Sequence, residues 1–374
     1  MLGLPIKMET RTIKGNGMAE IYITAMPTPS PKTQAQSEEL FDGVAGTLRE
    51  SGARILQERV FGTAEALKAA SSIRAKIYNE LDDGVAPTWL VTPEGVNGPI
   101  AGIQVHAVAG CDKLDVLKSG DTPCGRIARI PGLTYLTLSS IRRPEISGRT
   151  SQARAMLETA ESVLSSAGVN FLTVSRTWMW IENILTWYGD FNLIRNTFFK
   201  ERGVITKKGS HRMPASTGIG IRTENDALCA MELVAVAGAP SAIEYLDAGG
   251  NQESAFEYGS AFSRACRAKT LAGDTVYVSG TASIGADGKT LYLGDPRGQI
   301  ETTVDNVRAV LKEYNYGDDD IVHAIAYCKT PEVKQVFIDG RYCLGWPIIP
   351  VIADICRDDL LFEIEVTAAR NIEM

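Results

Sequence analysis

Three apolar, strand-like runs recur late in each third of the chain. They read "GIQVHAVAG" ending at Gly110, "CAMELVAVAG" ending at Gly238 and "LLFEIEVTAA" ending at Ala369, with endpoints 128 and 131 residues apart. A helical pattern precedes each: "SEELFDGVAGTLRESGA", "SQARAMLETAESVLSSAGV" and "QIETTVDNVRAVLKEYNYG". In the second of these Ala153, Met156, Ala160, Val163 and Leu164 share one face, and in the third Val304, Val307, Val310 and Leu311 do so, with Gly317 expected to close the helix. Between helix and terminal strand, each third offers another strand and another helix: "RILQERVF" then 63–80, "FLTVSRTWMW" then 185–202, and "IVHAIAYC" then 331–342. A unit of this order is an α+β layer in which two helices cover one face of a mixed sheet. The other face needs a partner, and three units in one chain supply it internally. Chance likeness between generic α/β segments is the competing account, but order and spacing agree in all three copies.

The units are expected at 1–115, 124–239 and 258–374, with turn-rich linkers at 111–124 and 239–259. A chain of 374 residues exceeds one ordinary core, which suits this division. The net charge of −7 has no basic block behind it, so nucleic acid is not an expected partner. No apolar run approaches the roughly 18 residues of a membrane span, and the start lacks a signal peptide's apolar stretch. Seven scattered cysteines without a CxxC pair argue for reduced thiols in a cytoplasm and against a zinc site. The three histidines, His106, His211 and His323, lie at no metal-ligand spacing. No metal and no cofactor are expected; a monomer or small homo-oligomer is.

The stretch "RTWMWIENILTWYGDFNLIRNTFF", 176–199, carries three of the five tryptophans among polar groups. Arg176 falls on the same side of its strand as Trp178 and Trp180. Arg195 falls about 40° from Phe191 on a wheel of 100° per residue, at the edge of an apolar stripe formed by Trp187, Phe191, Ile194 and Phe198. A buried arginine needs an anionic partner. Either it pairs within the protein, with Glu182 or Asp190 as candidates, or it clamps a ligand carboxylate with its planar fork. In "LLFEIEV" Leu361, Glu363 and Glu365 point to one face of a strand, as a solvent-facing polar stripe or as site residues.

The last third resembles the RidA (YjgF-type) fold in "GDTVYVSGTASIGADGKTLYLGDPRGQIETTVDNVRAVLKE" and "RDDLLFEIEVTA". That family's imine-acting members form trimers with interfacial sites and grip the substrate carboxylate with an arginine in a Pro-x-Arg turn. Here the corresponding turns read Pro347-Ile348-Ile349 and Pro214-Ala215-Ser216, without arginine. Residues 125–370 are more closely similar to the chorismatase family, through "RTWMWIENIL…FNLIRNTFF", "MPASTGIGI", "EYGSAFSRA", "SGTASI" and "ADICRDDLLFEIE". The approach to "EYGSAFSRA" is shorter here than in that family.

The resemblance implies three RidA-like units in a pseudo-trimer. It implies an enzyme cleaving the enolpyruvyl ether of chorismate, a small dianionic substrate, to pyruvate plus a hydroxybenzoate or a dihydroxycyclohexadiene carboxylate. It aligns Glu363 with the catalytic glutamate and Cys356 with a cysteine found in part of the family. It also places Arg176, Trp178, Arg195, Tyr258, Phe262, Arg264 and Ala282 around the substrate. A RidA-like deaminase or hydrolase of another small carboxylate, and a non-catalytic binding protein, are the alternatives. The first unit is expected to lack the chemistry, since its terminal strand carries His106 and no glutamate.

Overall fold

The computed structural model describes residues 6–28, 33–93, 99–111, 114–206, 211–238, 242–343 and 345–371, without the side chains of Thr33 and Tyr258. The first third contributes β1 (Lys7–Gly15), β2 (Met18–Met26), α1 (Thr33–Ser51), β3 (Arg54–Gly62), α2 (Ala64–Tyr78), β4 (Thr88–Val91) and β5 (Ile100–Ala109). The second contributes β6 (Leu114–Ser119), β7 (Thr122–Ile130), β8 (Leu133–Arg142), α3 (Arg149–Ser166), β9 (Val174–Ile181), α4 (Tyr188–Glu201), β10 (Ala215–Ile219), β11 (Arg222–Thr223) and β12 (Cys229–Gly238). The third contributes β13 (Ile243–Leu246), β14 (Ala265–Lys269), β15 (Gly273–Ala282), α5 (Pro296–Glu313), β16 (Ile321–Cys328), α6 (Pro331–Gly340), β17 (Ile348–Ile352) and β18 (Phe362–Asn371).

Among the described residues these strands form three six-stranded sheets, ordered β1-β2-β5-β3-β4-β11, β10-β9-β12-β8-β7-β6 and β13-β14-β15-β18-β16-β17. Each is mixed: β3/β4, β9/β10 and β16/β17 run parallel, and the remaining pairs are antiparallel. The architecture is the α+β arrangement expected from the repeat. Two helices close one face of every sheet over its own apolar core, built around Leu40, Phe41 and Val60 in the first unit, Met156, Phe191 and Leu233 in the second, and Ile300, Val307 and Phe362 in the third. The opposite faces meet one another. Tyr22 and Phe61 of the first unit, Trp178 and Trp180 of the second, and Tyr277 and Tyr327 of the third share one central core.

Three details depart from the sequence expectation. The presumed linkers each hold an edge strand, β6 and β13. The second unit's β11 does not pair at home but extends the first sheet, Arg222 opposite Val91 and Thr223 opposite Leu90, because the edge of β4 offers unpaired backbone groups. Gly317 does not close α5: the helix ends at Glu313, Asn315 takes the left-handed conformation at φ 60°, and Gly317 instead opens a short 3₁₀ turn at Asp318–Asp320. Asparagine tolerates that region, so the glycine is not needed there. No helix among the described residues is long and apolar enough to cross a membrane.

Candidate active site

A cavity of about 130 Å³ lies between the second and third units. The second unit supplies Tyr188, Asn192 and Arg195 from one face of α4, at i, i+4 and i+7, together with Ser216 and Gly218 of β10. The third supplies Ser260, Phe262 and Arg264 before β14, Gly280 and Ala282 of β15 followed by Ile284, the loop residues Cys356, Arg357 and Leu360, and Glu363 of β18.

Glu363 is 4% exposed, and burial pushes its carboxyl up to about 8, with the neighbouring charge of Glu365 acting in the same direction and Arg176 and Arg264 opposing. A carboxylic acid that is still protonated at neutral pH is the main chemical asset of the site. The room it occupies depends on a glycine. The β15/β18 ladder shifts register between Val278 and Thr281, and Gly280 in that irregularity stands so close that a Cβ would lie 2.1 Å from Oε1 of Glu363. Gly280→Ala is expected to fold, because the obstructed atom ends a flexible side chain. It should nevertheless displace the carboxyl by the better part of an ångström and lower turnover by about one to two orders of magnitude. Thermal melting alongside steady-state kinetics checks both halves.

Three arginines line the cavity. Arg195, 1% exposed, donates from Nη2 to Oδ1 of Asn192 at 2.7 Å, while its buried Nε has no partner among the described residues. Arg264 donates from Nε and Nη2 to the carbonyl of Glu253 at 2.9 and 2.7 Å, and Arg357 donates to the carbonyl of Gly288 at 2.8 Å. Phe262 packs between two of them, its ring centroid 5.9 Å from the Cζ of Arg195 and 5.7 Å from that of Arg264. Opposite, burial raises the Tyr188 hydroxyl to about 12 and the Cys356 thiol to about 12, so both are proton-bearing groups at neutral pH. A neutral acid, a neutral thiol and three cations together suit a ligand that brings negative charge.

Arg195, Phe262, Arg264, Ala282, Cys356 and Glu363 line one cavity. Arg176 and Trp178 do not. Arg176 pairs with neither Glu182 nor Asp190: its Nη2 donates to Oε2 of Glu365 at 2.8 Å and to Oγ1 of Thr217 at 2.6 Å. The indole of Trp178 donates to Oε1 of Glu365 at 2.8 Å. Both stand behind the cavity, because the buried carboxylate of Glu365 captures them first. The side chain of Tyr258 lies outside the described residues. Tyr188, Asn192, Ser216, Ser260, Gly280 and Arg357 were not anticipated. The spacing of Tyr188 and Asn192 with Arg195 on one helix face was the available signal for two of them.

The pseudo-symmetry sets this interface apart from the other two. Six residues before the ends of the three repeated runs stand Gln104, Glu232 and Glu363, each opposite a middle-strand residue: Arg59, Trp178 and Tyr327. Gln104 donates to the carbonyl of Ala324 at 2.8 Å. Glu232 is closed off by the first unit, accepting from Nε of Arg59 at 2.6 Å and from Gln57 at 2.7 Å. Among the described residues, Glu363 is the member of the trio that opens onto a cavity.

No known family's sequence profile matches the chain, and no curated protein matches it by sequence. Among solved structures, a chorismatase is similar, with a TM-score of 0.61 at 20% identity, covering 84% of this chain and 93% of that one. A Mycobacterium tuberculosis member of the YjgF/YER057c/UK114 family matches about one unit, with a TM-score of 0.27 at 20% identity over 34% of this chain and 98% of its own. A Rid-family protein of unknown function from Yersinia pestis does likewise, with a TM-score of 0.23 at 24% identity, covering 29% and 85%. The likeness to the chorismatase spans all three sheets and is a likeness of fold.

Proposed function

We propose that the chain is a chorismatase-like enzyme, with units at 1–115, 124–239 and 258–374, and that Glu363 is the general acid at the interface of the last two. The observation that carries this reading is a buried carboxyl, pushed up to about 8, facing a cavity lined by three guanidinium groups. Chorismate brings two carboxylates and a vinyl ether. Arg195, with a buried Nε left over, and the guanidiniums of Arg264 and Arg357 match the carboxylates. Proton transfer from Glu363 to the enolpyruvyl methylene carbon converts it to a methyl group and leaves an oxocarbenium ion. Water adds to the ether-bearing carbon of that ion, and the resulting hemiketal collapses to pyruvate and the ring alcohol. Glu363 regains its proton from the water that has added.

Cys356 touches the same cavity as a neutral thiol, fit to donate a hydrogen bond to the ring oxygens rather than to attack as a thiolate. Its place in the family resemblance favours an aromatic hydroxybenzoate product, which forms when the ring alcohol loses one further molecule of water. Ser216 also supports a departure from imine chemistry. It is the third residue of the Pro214-Ala215-Ser216 run, which the structure places at the start of β10 rather than in a turn, and it lines the cavity where the resemblance would put the carboxylate-binding arginine of imine-acting proteins.

The direct test is incubation of the protein with chorismate and enzymatic measurement of pyruvate. Because the acid must carry its proton, kcat/KM should be level on the neutral side and fall tenfold per unit as pH rises through about 8. A rate that instead climbs through that range would mean that Glu363 acts as a base, or not at all.

A further inference from the structure

Glu363 and Glu365 sit two residues apart on β18, about 7 Å along the strand, and face the same side of the sheet. Two carboxyls so placed in a dry interior do not both ionise cheaply, and whichever finds donors takes the charge. The surroundings divide them sharply. Glu363 faces the cavity. Glu365 accepts one bond from the Arg176 guanidinium and one from the Trp178 indole, both at 2.8 Å.

Trp178 is itself held. The Cζ of Arg176 lies 4.5 Å from the ring centroid, and that of Arg59 lies 3.8 Å from it. Arg59 comes from β3 of the first unit, where Nε is tied to Glu232 at 2.6 Å, so its position over the indole is fixed from its other side. Desolvation strengthens cation–π contacts of this kind.

We infer that Trp178, clamped by Arg59 of the first unit, is a positioning residue that keeps Glu365 as the charged member of the Glu363–Glu365 pair and so leaves the proton on Glu363. The first unit then acts on the site from across the central core. The other groups that face Glu363 are accounted for. Arg176 and Arg264 favour its anion, and Tyr327 on β16, Tyr188 on α4 and Cys356 are all neutral at pH 7. Arg195 and Arg357 stand on the far walls of the same cavity, where they serve the ligand. Glu365 is therefore the anion whose placement decides which carboxyl keeps the proton. This inference rests on the reading of Glu363 as the acid.

Trp178→Phe keeps a ring for Arg59 and removes the indole donor. In the full-length protein with ¹³C-carboxyl-labelled glutamate, the Glu363 signal is assigned by its loss in Glu363→Gln. Its titration midpoint should fall by about one pH unit in Trp178→Phe, the worth of one hydrogen bond to a charged group. The alkaline limb of kcat/KM should move by the same amount with KM unchanged. Arg59→Lys retains the charge beside Glu232 but loses the planar stack, and should shift the midpoint in the same direction by less. A lowered melting temperature with an unmoved midpoint in both variants would show a merely structural role and overturn the inference. A shifted midpoint without pyruvate from chorismate would leave the inference standing and remove the proposed reaction; pyruvate with unmoved midpoints would do the reverse.

Discussion

Glu363→Gln should lower the rate of pyruvate release from chorismate by about two to four orders of magnitude, the usual worth of a positioned general acid. The amide preserves shape and hydrogen-bonding capacity but has no transferable proton, so ligand affinity should stay within a few-fold of the parent. Stability supplies an independent reading of the same residue. A carboxyl near 4.5 when unfolded and pushed up to about 8 when folded binds its proton more tightly in the native state. Between those values the native state holds more protons than the unfolded one, so its contribution to stability declines as pH rises, at up to about 1.4 kcal/mol per unit. That contribution is complete below the lower value and lost above about 8. The amide cannot ionise, so the variant should overtake the parent in melting temperature on the alkaline side. Denaturant unfolding at pH 6 and pH 9 measures this without any substrate. Full chorismate turnover by Glu363→Gln would exclude the proposed acid.

Arg195→Ala should have a different signature. The guanidinium is buried, its one recorded hydrogen bond among the described residues goes to Asn192, and its Nε is left over. Its removal therefore breaks no ion pair and should not unfold the chain. A ligand carboxylate that loses a charged partner loses about 1.5–3 kcal/mol, or roughly ten- to a hundredfold in affinity. KM for chorismate should rise by that factor with kcat falling less, whereas Glu363→Gln acts on kcat. Arg195→Lys, retaining charge without the fork, should fall between. Titration calorimetry with the inactive Glu363→Gln protein as background isolates the binding part. Unchanged affinity in Arg195→Ala would transfer the carboxylate-binding role to Arg264 and Arg357.

The amino-acid sequence by itself determined the repeated unit, its helices and the terminal strands, since each depends on local periodicity. Helical spacing such as that of Val304, Val307 and Val310 states which face is buried, and α5 follows from it. It also placed Arg195 at the margin of a buried stripe and put Glu363 and Glu365 on one face of β18. What periodicity cannot state is what covers a buried polar group. Arg176 and Arg195 read alike in the chain, as arginines among aromatics. Only the packing of β18 against β9 decided that Arg176 meets Glu365 while Arg195 meets a cavity. Glu232 and Glu363 occupy the same place in the repeat. Arg59 from the first unit closes one, and the absence of a side chain at Gly280 opens the other. Desolvation and hydrogen-bond satisfaction are settled by groups far apart in sequence, 173 residues for Arg59 and Glu232 and 189 for Arg176 and Glu365. A raised acid, unlike a helix, therefore exists only once the three sheets have closed on one another.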